Sequence, residues 1–501
     1  MMDRIIDWVI NSDGDATGDD IRRILQPMFP DVDLNALSDR TVHRICANLY
    51  YRCAPRTRLA EYTHLDHAVD LIKKSKKILV ITGAGVSVSC GIPDFRSANG
   101  IYARLHKDFP TLPNPQAMFD INYFRANPVP FFDFANELYP GRFKPSISHF
   151  FIKLLEKQGK LLRNYTQNID TLETVAGINN VIECHGSFKS ATCTLCKHTV
   201  GCDDIREDVL AKKVAICKEC KAGIVKPDIV FFGEDLPSEF YEKLEIDKSE
   251  ADLLIVMGSS MKVQPVGTIP RMLANSVPQI LINREVMSSM SLVNCDIRLL
   301  GDCDVITAQI CKMLGGFFLE HMESELKERG QVEVKELELA SVEELHILAT
   351  NCLNDDKLLA LNALDSVRRD DDGPSSAKRV KITADDDLIV CVGDVLKEHY
   401  VYEQPNITAF KGAEIRYDLQ RKEVIIGGSS PSSVASSCSS SSSNSSDERD
   451  RRRTKSFSLE RLIMDDNEEM LDVRAISAPP DLCETDAELT AEENGQSDID
   501  N

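Results

Sequence analysis

The chain has 501 residues, with 58 lysines and arginines against 80 aspartates and glutamates, and a formal net charge of −22 at pH 7. Such an acidic chain is not expected to bind nucleic acid by neutralising phosphates, although its surface suits basic protein substrates as a non-specific preference. Only 43% of the residues are hydrophobic, which predicts one well-packed domain beside disordered flanks. No apolar stretch reaches the ~18 residues of a membrane span. With no signal peptide and no secretory pattern among the 16 cysteines, we expect a reducing compartment.

Residues 1–60 are predicted to form a small helical module. Apolar residues recur at helical spacing in three short stretches, and each stretch is too short to bury a core alone. The helices should therefore pack on one another or on a partner. The three faces comprise Ile5, Ile6 and Val9; Ile21, Ile24, Leu25 and Met28; and Val42, Ile45, Cys46 and Leu49.

The next stretch, 77–102, is the most informative in the chain. The apolar run 78–81 is typical of a buried parallel strand. Gly83 and Gly85 follow where a strand should turn into a helix, and the free N–H groups of a helix start favour a phosphate. A dinucleotide fingerprint needs a third glycine at position 88, where Val88 stands, and this argues against an ordinary dehydrogenase. The glycines alone are also compatible with a tight turn that binds nothing.

The string GAGVSVSCGIPDFRS, followed by GIY, resembles the cofactor loop of the sirtuins, the NAD-dependent protein-lysine deacylases, and is most similar to their nuclear branch. The resemblance implies a doubly wound, Rossmann-like α/β catalytic core over residues 62–316. It also implies that this loop binds NAD through Gly83, Ala84, Gly85, Ser87, Asp94, Phe95, Arg96 and Tyr102.

Polar residues follow a second probable strand in the string NYTQNID, residues 164–170. By resemblance, Gln167, Asn168, Ile169 and Asp170 line the nicotinamide pocket and order the ribose. His185 in ECHGS matches the catalytic histidine of the family, with Asn168 as its catalytic partner. A lone histidine is more often a structural hydrogen-bonding group, but its ordinary pKa of ~6.5 suits a base at neutral pH.

Four cysteines have the spacing of a zinc site, C-x2-C, twenty residues, then C-x2-C. Four thiolates complete a tetrahedral shell, so the metal should be structural rather than catalytic. We expect one zinc ion in a ribbon module inserted at about 188–228, with His198 and Cys202 left spare. The ligands are Cys193, Cys196, Cys217 and Cys220.

The apolar run after Lys226-Pro227-Asp228 reads as a plain buried strand from sequence alone. It could also wall a tunnel for the methylenes and acyl group of a modified lysine. The resemblance favours the tunnel and implies a facing strand at 261–264. The implied substrate-binding residues are Val230, Phe231, Phe232, Gly233 and Val263.

Two further strands are predicted at 253–257 and 279–282, each ending in small or polar residues. Ligands of open α/β sheets bind outside the carboxyl ends of the strands. By resemblance these ends and the following Gly301-Asp302-Cys303 turn contact the cofactor. The residues implied are Gly258, Ser259, Ser260, Asn283, Arg284, Glu285 and Cys303.

Residues 317–395 are predicted as a linker with a helix that begins at a capping box of Ser341 and Glu344. Within it, 374–382 (PSSAKRVKI) has the composition of a nuclear localisation signal that an importin would recognise, or of a random basic cluster. Residues 427–501 are predicted to form a disordered serine-rich and acidic tail.

The segment 396–426 has the wrong composition for disorder. Aromatic and β-branched residues alternate on both sides of Gln404-Pro405-Asn406, which predicts a hairpin. An isolated hairpin is marginally stable in water, so this one should dock on an exposed strand edge of the core.

Together the resemblance implies a nuclear NAD-dependent protein-lysine deacetylase that acts on acetylated histones and transcription factors in chromatin and transcription regulation. Its products would be free lysine, nicotinamide and O-acetyl-ADP-ribose, with NAD as co-substrate and zinc as structural metal. No membrane partner is expected. Alternatives are protein ADP-ribosyl transfer, removal of other acyl groups, a silent NAD-sensing scaffold and an oxidoreductase.

Overall fold

A computed structural model describes most of the chain. The described residues are 17–26, 29, 32–39, 41–42 and 45, and then 56–426 except 98–99, 288–293, 329, 331–332, 355–356, 360, 363–387 and 404–405. They fall into two compact units, one within 17–45 and one within 56–426. The predicted helix face at Ile5, Ile6 and Val9, the basic cluster 374–382 and the tail 427–501 lie outside them.

The described part of the N-terminal unit includes the helix α1 (Gly18–Leu25) and a single turn at Leu34–Ala36, and Asp39, Thr41, Val42 and Ile45 are also helical. Thr17 caps α1, and Asp20 returns the hydrogen bond in a capping box. Apolar residues from two of the predicted helix faces belong to one buried cluster. This agrees with the expectation that helices too short to bury a core alone pack on one another. The cluster comprises Ile21, Leu25, Phe29, Leu34, Val42 and Ile45.

The second unit contains three β-sheets and a set of helices. Its strands are β1 (Ile78–Thr82), β2 (Leu161–Thr166), β3 (Val181–Glu183), β4 (Gly186–Cys193), β5 (Thr199–Gly201), β6 (Val225–Ile229), β7 (Leu253–Met257), β8 (Gln279–Asn283), β9 (Ile297–Leu300), β10 (Glu338–Leu339), β11 (Ile389–Cys391), β12 (His399–Glu403), β13 (Ile407–Ala409), β14 (Arg416–Asp418) and β15 (Glu423–Ile425). Its helices are α2 (Leu65–Lys74), α3 (Ile101–Asp108), α4 (Ile121–Ala126), α5 (Val129–Leu138), α6 (Ile147–Lys157), α7 (Leu172–Val175), α8 (Arg206–Leu210), α9 (Ser238–Glu250), α10 (Ile269–Met272), α11 (Cys303–Leu314), α12 (Gly316–Glu328), α13 (Val342–Asn351) and α14 (Val392–Val395).

The main sheet has the strand order β10-β12-β13-β9-β8-β7-β1-β2-β3, and the strands from β9 to β3 are all parallel. The predicted doubly wound α/β fold is thereby confirmed. The chain runs outward from β1 through β2 and β3, then returns to β7 on the other side of β1. The direction of winding therefore reverses between β1 and β7, which is where open α/β sheets bind their ligands.

Continuous apolar runs form the centre of this sheet because helices cover both of its faces. All five residues of β1, β7 and β8 are buried. Successive residues of β1 face opposite cores: Leu79 and Ile81 lie in one cluster, and Ile78 and Val80 lie in the other. In the second core these strands pack with apolar residues of α2, α6, α11 and α12.

A third core joins the segment between β1 and β2 to a small antiparallel sheet, β5-β4-β6. Its centre is a set of phenylalanine rings in edge-to-face contact. Phe231 lies 5.0 Å from Phe131 and 5.4 Å from Phe124 between ring centroids. Such pairs add to the energy of burial.

The C-terminal part of the unit adds strands to the main sheet. β12 and β13 pair as an antiparallel hairpin, and β13 pairs in parallel with β9. This pairing covers the edge of β9. The Phe410 N–H extends it with a hydrogen bond to the Leu300 carbonyl at 2.7 Å. β11, β14 and β15 form a separate three-stranded sheet that sequence analysis did not predict.

Three local predictions differ from the structure. The strand expected in the apolar run after Asp228 lies earlier, at β6 (Val225–Ile229), because pairing with β4 selects it. Residues 261–264 form no strand, since Met261 has a left-handed backbone (φ 51°) that breaks an extended run. The segment 317–395 is more than a linker, because α12 buries Phe318 and Met322 against the core and β10 joins the main sheet.

None of the helices among the described residues combines the length and the apolar character needed to cross a membrane.

Candidate active site

The loops that follow β1 and β7 are joined through backbone contacts. Gly83 N–H donates to the Met257 carbonyl at 3.0 Å, and Gly85 N–H donates to the Gly258 carbonyl at 2.8 Å. A Cβ on Gly85 would lie only 2.6 Å from the Gly258 Cα. Glycine is therefore required at this position, and it brings the two predicted cofactor loops together at the switch point of the sheet.

The loop after β1 does not start a regular helix. It forms two single turns, Ala84–Val86 and Val88–Cys90, which use the Val86 and Ser87 N–H groups internally. The regular helix expected after the glycines is therefore replaced by these two turns, while binding of a phosphate by the loop's free N–H groups stays a prediction. Three other predicted cofactor residues are half-buried in the loops after β1, β2 and β7, namely Ala84, Ile169 and Ser260.

A buried hydrogen-bond network links this loop to the loop after β2. Asn168 Nδ2 donates to the Gly83 carbonyl at 3.1 Å and to Ser87 Oγ at 3.3 Å. Ser87 Oγ in turn donates to Asp170 Oδ2 at 2.7 Å. Each of these three polar side chains is less than a tenth exposed. The predicted residues Ser87, Asn168 and Asp170 are therefore brought together and oriented by one another.

His185 lies between β3 and β4, next to the same loop. Its Nδ1 is 2.9 Å from the Gln167 carbonyl oxygen, and because a carbonyl can only accept, Nδ1 carries the proton. Nε2 is then the basic nitrogen, and it is buried without a hydrogen-bond partner among the described residues. Burial lowers the pKa of His185, so its ring is neutral at pH 7 and Nε2 is able to accept a proton.

Gly186 fixes the position of His185. Its φ is +64°, and a Cβ there would lie 1.9 Å from the Asp228 carbonyl oxygen. Only glycine tolerates this conformation and this approach between β4 and β6. The Gln167 side chain, whose Oε1 accepts a 2.5 Å hydrogen bond from Ser259 Oγ, connects the same region to the loop after β7.

The aromatic part of the loop after β1 forms a wall. The Phe95 ring packs edge-to-face on Tyr102 and on Phe119, each at 5.7 Å between centroids. The Arg96 guanidinium lies 5.7 Å from the Tyr102 ring, and Asp94 Oδ1 accepts hydrogen bonds from the Ser97 N–H and hydroxyl. The loop thus places packed aromatic rings beside charged groups.

The loops after β8 and β9 contain the other predicted cofactor residues. Asn283 Nδ2 donates to the Glu285 carbonyl at 3.1 Å, and Arg284 forms an ion pair with Asp302 at 2.9 Å. Arg284 and Glu285 are exposed. Cys303 instead is buried, with its thiol near the Ile282 carbonyl at 3.8 Å, and burial raises its pKa to about 12.

Sequence analysis did not predict that the C-terminal segment contacts these loops. Asp302 N–H donates to the Lys411 carbonyl at 2.8 Å, and Glu414 N–H donates to the Arg284 carbonyl at 2.7 Å. Gly412 has φ +83°, and a Cβ there would overlap Asp302. The glycine in the string KGAE was the available signal, since a left-handed position in close contact requires it.

The segment predicted to bind substrate runs from His185 towards the Phe119 region. Val230 N–H donates to the His185 carbonyl at 2.8 Å, and Phe232 N–H donates to the Phe119 carbonyl at 2.8 Å. The ring of Phe231 is buried in the phenylalanine core. Gly233 has φ +89°. Val263, predicted on a facing strand, instead lies in the irregular segment before Pro265.

A charged pair that sequence analysis missed, a buried lysine with a half-buried glutamate, holds this segment. Lys226 is 7% exposed, and its Nζ donates to the Ile229 carbonyl at 2.6 Å and pairs with Glu234 at 2.9 Å. Glu234 also accepts the Phe231 N–H at 2.9 Å. A buried charge needs such partners, and here they fix the turn between Ile229 and Glu234.

The four predicted zinc ligands converge. Their sulfur atoms all lie within 4.8 Å of one another, with Cys193 to Cys220 and Cys196 to Cys217 each at 3.7 Å. Bonds of ~2.3 Å to a tetrahedral zinc ion place sulfurs about 3.8 Å apart. The four sulfurs therefore fit one zinc ion, and they would fill its shell. Cys202 is not part of the cluster.

A doubly wound sheet, a buried histidine beside its switch-point loops and an inserted four-cysteine cluster that fits zinc place the chain among the nucleotide-binding α/β proteins. The Sir2 family model matches residues 83–265. The protein named NAD-dependent protein deacetylase hst2 of Schizosaccharomyces pombe is 43% identical over 257 residues, which are 50% of this chain and 76% of that protein. The chain belongs to the Sir2 family.

Two animal relatives are more similar over a smaller share of their own length. NAD-dependent protein deacetylase sir-2.1 of Caenorhabditis elegans is 55% identical over 305 residues, 60% of this chain and 50% of the relative. NAD-dependent histone deacetylase sirtuin-1 of Drosophila melanogaster is 55% identical over 282 residues, 52% of this chain and 34% of the relative. The chain thus spans half or less of the length of these two relatives.

Proposed function

We propose that the protein is an NAD-dependent protein-lysine deacetylase that converts acetyl-lysine in histones and other proteins to lysine, with release of nicotinamide and O-acetyl-ADP-ribose. The observation that carries the proposal is the buried Nε2 of His185, which has no hydrogen-bond partner within the described part of the chain. It lies on a residue whose other ring nitrogen bonds to the Gln167 carbonyl. The names of the relatives, which include protein and histone deacetylases, point to the same activity.

The donor set at the strand ends fits NAD. Asn283, Glu285 and Ser259 offer groups suited to ribose hydroxyls, and the Phe95 region offers an aromatic wall. Bound NAD would supply the ADP-ribosyl group that accepts the acetyl group. His185 would take a proton at Nε2, and the Ser87–Asp170 contact would hold Asn168 in place. Orientation of this kind lowers reaction barriers substantially.

The acetyl-lysine side of the site would be the segment 230–233. Its backbone is fixed at one end by His185 and at the other by Phe119, so a lysine chain that reaches Nε2 passes beside it. The methylenes of a neutral, acetylated lysine suit the apolar side chains of Val230 and Phe232 better than a charged lysine does.

The activity is tested with the purified full chain, NAD and an acetyl-lysine histone peptide. We expect nicotinamide release and loss of the acetyl group by mass spectrometry, and His185→Ala should lower kcat/KM by ~10²–10⁴. His198→Ala is the matched control, since His198 is exposed on the zinc ribbon. ADP-ribose attached to protein, NADH formation, or full activity of His185→Ala would each contradict the proposal.

We also propose that the protein acts in the nucleus, because the basic cluster 374–382 has the composition that an importin recognises. Replacing Lys378, Arg379 and Lys381 with alanine should move a fluorescent fusion towards the cytoplasm. The same change at the exposed Lys213, Lys218 and Lys221 is the control. A fusion that stays nuclear without the cluster would show that another signal directs it.

A further inference from the structure

A buried glutamate lies directly behind the predicted nicotinamide loop, outside every role assigned above. Glu173 on α7 is 1% exposed. Its Oε1 lies 2.5 Å from the Thr166 hydroxyl and 3.0 Å from the Thr82 hydroxyl. These threonines are the last residues of β2 and β1. One carboxyl oxygen therefore binds the carboxyl ends of two neighbouring strands at the switch point.

Both threonines pass this constraint to the loop that follows β2. Asn168 N–H donates to the Thr166 hydroxyl at 3.1 Å, and Gln167 N–H donates to the Thr82 carbonyl at 2.9 Å. The carbonyl of the same residue, Gln167, accepts the hydrogen bond from the His185 ring. Glu173 is thus one hydrogen-bonded group away from Asn168 and from the residue that orients the proposed base.

The backbone is shaped to bring Glu173 to this place. Thr171 has φ 65°, a left-handed conformation that is unfavourable for a β-branched residue. The turn brings Asp170 and Glu173 into one buried pocket, where their oxygens and a ring nitrogen of His149 lie within 4.8 Å of one another. The left-handed backbone of Thr171 and the burial of a second carboxyl each cost free energy. Such unfavourable features persist where the surrounding structure holds them in place.

The His149 ring at this pocket is held by the Ser146 backbone and side chain. The Ser146 N–H donates to His149 Nδ1 at 3.1 Å, so Nδ1 is unprotonated and the neutral ring carries its hydrogen on Nε2. Burial raises the pKa of both Asp170 (to about 6) and Glu173, as expected for two carboxyls sharing an apolar site.

We propose that Glu173 is a positioning residue: by accepting from Thr82 and Thr166 it holds the 167–170 loop, and through it Asn168 and His185, in the geometry that the reaction needs. The consequence for catalysis rests on the proposed function. The hydrogen-bond constraint on the loop does not, and it can be measured without turnover.

The test compares variants of the full chain that remove or keep the acceptor. Glu173→Met removes it at similar volume, whereas Glu173→Gln keeps an oxygen for the two hydroxyls. We expect Glu173→Met to lower kcat about 10- to 100-fold, the scale of a small misplacement of reacting groups. KM for NAD should change less than threefold. Glu173→Gln should keep kcat within about threefold of the unaltered chain. A general loss of stability would not distinguish the two variants by the presence of the acceptor oxygen.

A second readout is amide hydrogen exchange at Gln167 and Asn168. Exchange should accelerate at least tenfold in Glu173→Met and stay unchanged in Glu173→Gln. Unchanged exchange and kcat in a folded Glu173→Met variant would overturn the proposal, as would a Glu173→Gln variant impaired as severely as Glu173→Met.

A second pair of variants covers the case in which Glu173→Met does not fold. Thr166→Val removes the hydroxyl between Glu173 and Asn168, and Thr166→Ser keeps it. We expect faster exchange at Asn168 and lower kcat only in Thr166→Val, and equal behaviour of the pair would overturn the proposal. If the unaltered chain consumes no NAD, the proposed function fails, while the exchange data still decide the role of Glu173.

Discussion

Phe410 anchors the C-terminal segment on the main sheet, and its truncation is the sharpest test of how that segment supports the site. The side chain is fully buried. Its ring stacks on Tyr400 with centroids 5.2 Å apart, and its N–H bonds to the Leu300 carbonyl at 2.7 Å. Phe410 therefore bonds to β9 through its backbone, while its ring packs on the other strand of the hairpin and belongs to the core cluster that contains Leu299 of β9.

Phe410→Ala should lower the free energy of unfolding by ~3–5 kcal/mol, the usual cost of removing a fully buried phenylalanine ring. The effect should also reach the cofactor loops. Lys411 and Glu414 hold Asp302 and Arg284 through backbone hydrogen bonds, so loosening the hairpin frees the loops after β8 and β9. We expect KM for NAD to rise about tenfold or more, whereas kcat at saturating NAD should fall less.

The assay is urea denaturation followed by fluorescence, with NAD kinetics measured on the same samples. Lys411→Ala is the control, because that side chain is exposed and such substitutions usually change stability by less than ~0.5 kcal/mol. A loss of stability below ~1 kcal/mol for Phe410→Ala, or an unchanged KM for NAD, would refute the proposed link between the hairpin and the cofactor loops.

Three further predictions concern the base, the metal and the turn beside His185. Burial lowers the pKa of His185, so the unprotonated form of its ring persists to lower pH. The acidic limb of the kcat/KM profile should therefore have its midpoint below ~6.5. A midpoint above ~7 would contradict this. Cys193→Ser should lose zinc, by metal analysis, and lower the melting temperature, because a structural zinc's binding energy is folding energy; a metal-free variant of full stability would show that the site is misassigned. Gly186→Ala should cost more than ~2 kcal/mol in denaturation, since left-handed strain of ~1–2 kcal/mol adds to the overlap with the Asp228 carbonyl. Gly159→Ala, left-handed but in open space, should cost only the strain, and equal losses would argue against the overlap.

The strands at the centre of the sheet could be predicted closely from the sequence. Apolar runs placed them at 78–81, 253–257 and 279–282, and they extend over Ile78–Thr82, Leu253–Met257 and Gln279–Asn283. A parallel strand covered on both faces needs a continuous apolar run, and these three runs mark the strands that lie at the centre of the sheet. The four cysteines were equally predictable, because metal geometry requires their spacing.

β6 could not be placed in the same way. Its sequence, VKPDI, contains a lysine, a proline and an aspartate, so neither hydropathy nor periodicity marks it as a strand. Pairing with β4 and the contacts of the buried Lys226 with Glu234 hold it in place. The partner strand β4 is distant in sequence, and the Lys226–Glu234 contact joins two polar residues. Reasoning from the local sequence alone therefore assigns 225–229 to a loop.

The position of a buried charge along the sheet distinguishes those that support the fold from those that support the site. Arg56 and Asp296 form a buried pair that binds the Gln279 N–H and the Val277 carbonyl, at the amino ends of β8 and β9. Glu173 instead binds the last residues of β1 and β2, at the carboxyl ends where ligands of such sheets bind. Loss of Arg56 should therefore weaken the fold and leave the loop geometry of the surviving native molecules unchanged. Loss of Glu173 should change that geometry even where the fold survives, because the groups it holds are those that would meet the substrate.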